Sequence, residues 1–204
     1  MIIRSAILQG SSPDLVSCPV SELPEFALIG RSNVGKSSLL NMLTRVKGLA
    51  RISSTPGKTR LINFFTINGN WTLVDLPGYG YAKVARKERA SFSAFVSDYL
   101  LRRSNLLGTF VLIDSRLDPQ PIDLEFLEWM VTSGLPFILV FTKSDKLSPK
   151  AVQKNIDAFL EKLRVISETP PHFLTSSSKV GEGRAEILHL ISDAIAEQAE
   201  DSGA

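Results

Sequence analysis

The stretch Gly30-Arg31-Ser32-Asn33-Val34-Gly35-Lys36-Ser37 fits the pattern GxxxxGK[ST]. Its glycines let the backbone wrap a phosphate chain, so that N–H groups point inward at the positive end of a following helix. In that arrangement Lys36 reaches the β- and γ-phosphates and the Ser37 hydroxyl ligates Mg²⁺, with Ser38 as a further nucleotide-binding position. A glycine-rich loop that merely turns the chain is the alternative. A second stretch, Asp75-Leu76-Pro77-Gly78, places a carboxylate where it can hold magnesium through water, and a glycine amide where it can sense a γ-phosphate. Asp and Gly also suit any turn, so DxxG draws its weight from its place after the phosphate loop and behind an apolar run.

A third stretch, Thr142-Lys143-Ser144-Asp145, suits a purine base. The Asp145 carboxylate can accept hydrogen bonds from the N1–H and N2 amino group of guanine, while the Lys143 stem covers the ring. Adenine offers an acceptor at N1 and no N2 amino group, and would leave a buried carboxylate unpaired; sites built this way reject the wrong partner strongly. A helix cap or a solvated loop is the bland alternative. Thr175, Ser176 and Ser177 would complete the pocket, with a backbone N–H from the serines directed at guanine O6.

These stretches need elements to position them. FALIG at 26–30 is a short apolar run ending in glycine, and Leu39, Leu40 and Leu43 behind it mark a helix. Residues 61–67 and 71–75 flank Asn68-Gly69-Asn70, which predicts an antiparallel hairpin. Phe92, Phe95, Val96, Tyr99 and Leu100 form one helical stripe. TFVLI at 109–113 and FILVF at 137–141 read as buried strands, with a helix over 124–131 between them and Gly134 as its stop. Val152, Ile156, Phe159, Leu160 and Leu163 make a further stripe after Ser148-Pro149. A short strand is expected at 173–175, and Leu188, Ile191 and Ile195 mark the closing helix. Strands this apolar are buried on both faces, which predicts a three-layer α/β domain: a mostly parallel sheet with an antiparallel edge and helices on each side. Ligands in such folds lie beyond the carboxyl ends of the strands, where all the candidate stretches fall.

Composition agrees. The 204 residues are 44% apolar and 22% charged, which excludes a disordered or fibrous chain. Twenty-three Lys and Arg against 21 Asp and Glu leave +2, too balanced to single out a nucleic-acid binder. Cys18 is the single cysteine, and with two His it is too little for a common structural zinc site. The apolar runs fall far short of the ~20 residues a membrane helix needs, and MIIRSAILQG is broken by Arg4 and Gln9, unlike a signal peptide. The expectation is a cytoplasmic monomer: an N-terminal segment over 1–22 packed on a nucleotide-binding domain over 23–196, with a frayed polar tail over 197–204.

Taken together, GRSNVGKS at 30–37, TPGKT at 55–59, DLPGYGYAKV at 75–84, TKSD and the serine turn resemble the EngB (YihA/YsxC) family of bacterial GTP-binding proteins. That family is similar to Era and EngA, and the resemblance extends over about residues 5–196. It implies a P-loop GTPase fold, GTP and GDP as ligands, and a role in assembling the large ribosomal subunit, hence contact with that subunit or its precursor rRNA, and in normal division and septation. It also implies that Gly57, Lys58 and Thr59 reach the nucleotide and that Thr59 closes over Mg²⁺, with Thr55 the alternative ligand. Lys36, Thr59 and Gly78 would then be the catalytic set, and Ser37 and Thr59 the direct metal ligands. Residues 49–60, rich in Ser, Thr, Pro and Gly, would be a loop that the γ-phosphate orders, or an inert connector.

Ras-like enzymes place a water-orienting Gln directly after DxxG; here that position is Tyr79. Slow intrinsic turnover, below about 10⁻² s⁻¹, is therefore expected. Asn33 resembles a residue that related families use to hold K⁺ near the phosphates, and could equally cap its own loop. Arg31 and Arg60 are assigned no arginine-finger role. Lys83, Arg86, Lys87, Arg89 and the pair Arg102-Arg103 form either an RNA-facing patch or a solvated helix face. His189, Trp71 and Trp129 are expected to pack.

Overall fold

Apolar side chains on both faces of a strand force it between two layers, and the central strands here obey this rule. In the computed structural model, which describes residues 1–50, 61–80 and 86–203 (backbone alone at 86–93 and 201–203), β2 (Glu25–Gly30) and β4 (Trp71–Asp75) are buried at every position. They pair in parallel, and β5 (Leu106–Asp114), β6 (Phe137–Thr142) and β7 (Phe173–Ser176) continue the parallel sheet. On the other side β3 (Ile62–Ile67) runs against both β4 and β1 (Ala6–Ser12), giving the order β1-β3-β4-β2-β5-β6-β7. The expected architecture is present, with its antiparallel pairs confined to one edge.

Period-2 alternation divides the core into two layers. Ala27, Ile29, Val111, Ile113, Leu139 and Phe141 face α2 (Arg86–Arg102), α3 (Pro121–Thr132) and α4 (Pro149–Leu163). Phe26, Leu28, Phe110, Leu112 and Val140 face α1 (Lys36–Thr44) and α5 (Arg184–Gly203). Local signals start and stop the elements. Asn68 and Gly69 both take positive φ in the β3–β4 turn, Pro121 and Pro149 open their helices, and the Ser148 hydroxyl accepts from the Ala151 amide.

Three details depart from the sequence reading. β1 was not expected as a strand: Ile7 and Leu8 are exposed and its register slips between Leu8 and Gly10, so it shows neither an apolar run nor clean alternation. Residues from 197 onward, expected to fray, continue α5 to Gly203, an extension of a helix whose Ala194 and Ile195 rest on the core. His189, expected to pack, is exposed, with Nδ1 3.4 Å from Asp193. The buried stripe of that helix is Ile187, Leu188 and Ile191. Trp71 is buried and Trp129 partly so.

At the end of the sheet away from the phosphate loop, Glu25 starts β2 from inside the core. Its carboxylate accepts from the Tyr99 hydroxyl and from Arg103 Nε (2.9 Å) and Nη2 (2.7 Å). Arg103 also donates to the Pro19 carbonyl at 2.7 Å, so the end of α2 is tied to the segment leading into β2. The doublet Arg102-Arg103 therefore splits: Arg103 is an internal anchor and only Arg102 faces solvent. Removing one partner of a buried pair strands the other's charge. Glu25→Ala is expected to cost about 3–5 kcal/mol and Tyr99→Phe about 1 kcal/mol. Urea unfolding of both variants and of the double variant measures this; coupling makes the double loss smaller than the sum.

Candidate functional site

The candidate residues converge at the carboxyl ends of β2, β4, β6 and β7. Gly30 ends β2, the loop Arg31–Gly35 follows, and Lys36, Ser37 and Ser38 form the first turn of α1. Asn33 is held at φ 64, a left-handed conformation uncommon outside glycine and enriched at functional sites. The neighbouring strand brings DxxG against this loop. Asp75 ends β4, Leu76 N–H donates to the Leu28 carbonyl at 3.0 Å, and Gly78 lies on the phosphate loop. A Cβ at Gly78 would stand 2.8 Å from Gly30 O and 3.0 Å from Ser32 N, so a side chain there would wedge the two loops apart.

Lys36 and Asp75 are the charged pair of this junction. Burial pushes the Lys36 ammonium down and the Asp75 carboxyl up, and each charge partly restores the other. Asp75 Oδ1 is buried without a hydrogen-bond partner. A buried orphan of this kind demands a donor, an ordered water or a cation. Hard carboxylate and hydroxyl oxygens beside a phosphate site are the donor set Mg²⁺ takes, with phosphates and waters completing its octahedron. Asp75 and Ser37 therefore fit the ion expected there. No cluster of three or more His, Cys, Asp or Glu suggests another metal centre among the described residues.

TKSD does two jobs. Thr142, the last residue of β6, donates its hydroxyl to the Val34 carbonyl at 2.7 Å, and Lys143 Nζ donates to Asn33 O at 2.6 Å and to Asp114 Oδ2 at 2.7 Å. These contacts fasten the base-side loop to the phosphate loop. Lys143 takes φ 63 to make them, and a short 3₁₀ turn, Ser144–Lys146, then carries Asp145. Asp145 Oδ1 accepts from Ser177 Oγ at 2.7 Å, which is the main reason its carboxyl sits below the ordinary range. Oδ2 is buried and has no hydrogen bond, although the Lys146 ammonium lies 3.2 Å away. Recognition of N1–H and N2 requires an ionised carboxylate with acceptor capacity left, and Asp145 is held in that charge state by Ser177 and Lys146. Ser177 N–H is turned to Glu182 O at 3.3 Å, and Ser176 and Thr175 belong to β7.

Sequence reasoning overlooked three carboxylates. Asp114 is gripped by Lys143 and by the Arg116 guanidinium (2.9 and 2.8 Å). Glu182 reaches the base-side loops through Ser144 and Thr175. Asp123, buried on α3, accepts from Tyr79 OH at 2.9 Å and from Arg31 Nε at 3.1 Å. Carboxylates in loops and first helical turns are common, so nothing in the chain marked out Glu182 or Asp123, whereas Asp114 ends β5 as Asp75 ends β4 and could have been found by that placement. Asp123 decides the role of Tyr79: the phenol stacks on Phe126 with ring centroids 4.5 Å apart and is bonded into α3. Burial and the Asp123 charge push its pKa well above 10, so it stays a neutral donor. Arg31 is likewise engaged in the fold. Gly57, Lys58, Thr59, the alternative Thr55, Arg60 and the basic side chains Lys83, Arg86, Lys87 and Arg89 lie outside the described residues. A cavity of about 330 Å³ between α5 and the starts of β5 and β6 touches none of the candidate residues.

A GxxxxGK[ST] loop between strand and helix, a DxxG strand end packed on it and a TKSD strand end fastened to it define a P-loop GTPase. Residues 25–143 match the family model described as 50S ribosome-binding GTPase. The chain is 53% identical over 192 residues to the probable GTP-binding protein EngB of Bacteroides fragilis, covering 94% of this chain and 95% of that one. It is 52% identical over 193 residues to its counterpart in Christiangramia forsetii, with 94% and 96% covered. Among solved structures, a probable GTP-binding protein EngB superposes with a TM-score of 0.67 at 26% identity, covering 85% of this chain and 99% of that one. The chain belongs to the EngB family of GTP-binding proteins.

Two outcomes follow from the site's geometry. Because the phenol is bonded to Asp123, Tyr79→Phe is expected to leave kcat for GTP within about twofold while lowering stability by about 1 kcal/mol; single-turnover hydrolysis and urea unfolding test the pair. Burial pushes the Asp114 carboxyl up, but the hydrogen bonds from Arg116 and Lys143 and the Lys143 charge outweigh it and hold the pKa at about 2, below its ordinary 3.8. A depressed carboxyl pKa stabilises the fold above the unfolded value and loses that contribution as pH falls through the folded one. The stability gap between the native chain and Asp114→Asn should therefore be full above about pH 5 and shrink from pH 4 towards 2, as read by urea midpoints across that range.

Proposed function

We propose that this GTPase is a Mg²⁺-dependent switch whose GTP-bound form docks on the large ribosomal subunit or its precursor during assembly, in the cytoplasm and as a monomer. Normal division and septation would depend on that assembly. The observation that carries the nucleotide half is Asp145, held below its ordinary pKa at the end of TKSD, with Oδ1 on the Ser177 hydroxyl and Oδ2 buried beside the Lys146 ammonium. Support for the ribosomal half is the match of residues 25–143 to a family model described as 50S ribosome-binding.

In this reading the amides of the loop Arg31–Gly35 cradle the phosphates and Lys36 neutralises the β- and γ-oxygens. Ser37, and Asp75 through water, would hold Mg²⁺, which supplies charge compensation on the transferring phosphoryl group. Gly78 N–H, pressed close to the phosphate loop, would report the γ-phosphate. Thr59 would complete the metal shell from the segment that the sequence reading assigns to it. No residue in this set supplies a water-orienting amide at position 79, since the Tyr79 phenol is bonded to α3. That favours slow turnover, and with it a second reading in which GTP gates binding and hydrolysis is incidental.

Two experiments test the proposal. Asp145→Asn should move preference from guanosine to xanthosine nucleotides, because an amide donates where the carboxylate accepted; unchanged preference in competition binding would sink the TKSD assignment. Sedimentation with ribosomal subunits at fixed, near-physiological salt should show binding to the large subunit with a non-hydrolysable GTP analogue and not with GDP or without nucleotide. Equal binding in all three states, or none, would remove the nucleotide-gated docking.

A further inference from the structure

We propose that Glu182 is the positioning residue of the base pocket: its carboxylate bridges the loop after β6 to the end of β7 and thereby governs how long a guanine nucleotide stays bound. The inference rests on the reading of TKSD and the serine turn as the guanine site. Glu182 Oε2 accepts from Ser144 Oγ at 2.7 Å, and Oε1 accepts from Thr175 Oγ1 at 2.8 Å. One carboxylate thus spans the two segments that flank the base, directly beside Asp145.

The backbone around Glu182 is fixed independently of that side chain. Its carbonyl accepts from Ser177 N–H at 3.3 Å and from Ser176 Oγ at 3.2 Å. Gly183 follows at φ 79, where a Cβ would lie 2.3 Å from Thr175 O, so only glycine lets the chain press this closely on β7. The carboxylate is therefore delivered to its position by a turn that does not need it. Its contribution can be removed without dismantling the turn.

The recognition carboxylate lies just past the pinned part of this segment. Lys143, in a left-handed conformation, is fastened to Asn33 and Asp114, and the 3₁₀ turn Ser144–Lys146 that follows carries Asp145. The Ser177–Asp145 bond ties the two segments at the recognition carboxylate, and Glu182 ties them again one residue earlier in the turn, at Ser144. With both ties the turn that carries Asp145 is held at two successive residues; without Glu182 it is held at one. Losing a tie that holds the bound geometry shows mainly in residence time, because most effects of altered contacts at one binding site appear in the dissociation rate. The bridge leaves from Ser144, past the Thr142 and Lys143 contacts that fasten TKSD to the phosphate loop, so its removal is expected to leave those contacts and the phosphate groups in place.

Release of a fluorescent GDP analogue and kcat at saturating GTP test this in the full chain. Glu182→Ala is expected to speed release about five- to tenfold, the scale of losing hydrogen bonds to a charged acceptor at a partly exposed site, with kcat unchanged. Glu182→Gln, which can accept from one hydroxyl and donate to the other, should restore release to within about threefold of the native rate. Glu182→Asp is too short to span both hydroxyls and should behave like the alanine variant, and it carries the test if the alanine variant does not fold. The Glu182→Ala/Ser144→Ala double variant should release no faster than Glu182→Ala alone. Native release rates in the alanine and aspartate variants, additive effects in the double variant, or a fall in kcat would each overturn the proposal. Asp145→Asn separates the two levels: no gain of xanthosine binding means the pocket reading fails, whereas a gain together with native release in Glu182→Ala means that the Glu182 bridge alone fails.

Discussion

Two carbonyls of the phosphate loop, those of Asn33 and Val34, are answered by the Lys143 ammonium and the Thr142 hydroxyl from the end of β6. The loop is bent so that its amides can serve a ligand, and a bent backbone turns some carbonyls outward, where they need donors. TKSD supplies those donors from a strand that is not next to β2 in the sheet: β5 lies between them. The phosphate side and the base side of the site are therefore one mechanical unit. Asp114 completes it from β5, holding Lys143 by charge while Lys143 reaches across the loop. Everything else in the site is positioned relative to this joint.

Electrostatics around the joint are arranged for a guest. Lys36 and Asp75 are both desolvated, and each is shifted towards its neutral form while the other pulls it back. A buried pair in this condition stabilises a fold poorly, because desolvation consumes most of the attraction. It does leave a cationic group and an unpartnered carboxylate oxygen at the head of α1, where a helix terminus favours anions. The arrangement comes at the expense of local stability, and the opposite end of the sheet shows the contrast. There Glu25, Arg103 and Tyr99 satisfy one another completely and anchor the end of α2, the helix whose start follows DxxG in the chain.

α3 has a larger part in the site than its distance in sequence suggests. Asp123 holds Arg31 of the phosphate loop and Tyr79 of the DxxG stretch on one carboxylate, and Phe126 stacks under the phenol. Residue 79 is the position that orients water in Ras-like enzymes, and here it is part of the packing. The same contact makes Arg31 a structural partner of Asp123 at 3.1 Å.

The sequence by itself determined the fold class, the order of the elements from β2 onward and the stretches that meet at the carboxyl ends of the strands. Those signals are local: an apolar run long enough to be buried on both faces, a glycine spacing that only a wrapped loop explains, a carboxylate placed just past a strand. The tertiary structure decided which polar side chains those stretches rely on. Asp123 and Glu182 lie in unremarkable contexts, and their importance comes from partners far away in the chain, Arg31 for Asp123 and Ser144 for Glu182. It also decided that Arg103 turns inward beside an exposed Arg102, and that β1 forms an edge strand despite exposed Ile7 and Leu8. Periodicity reports which face of an element is buried, because burial repeats along the chain. A single hydrogen bond between distant loops repeats nowhere, so it becomes visible only once the strands have brought its two ends together.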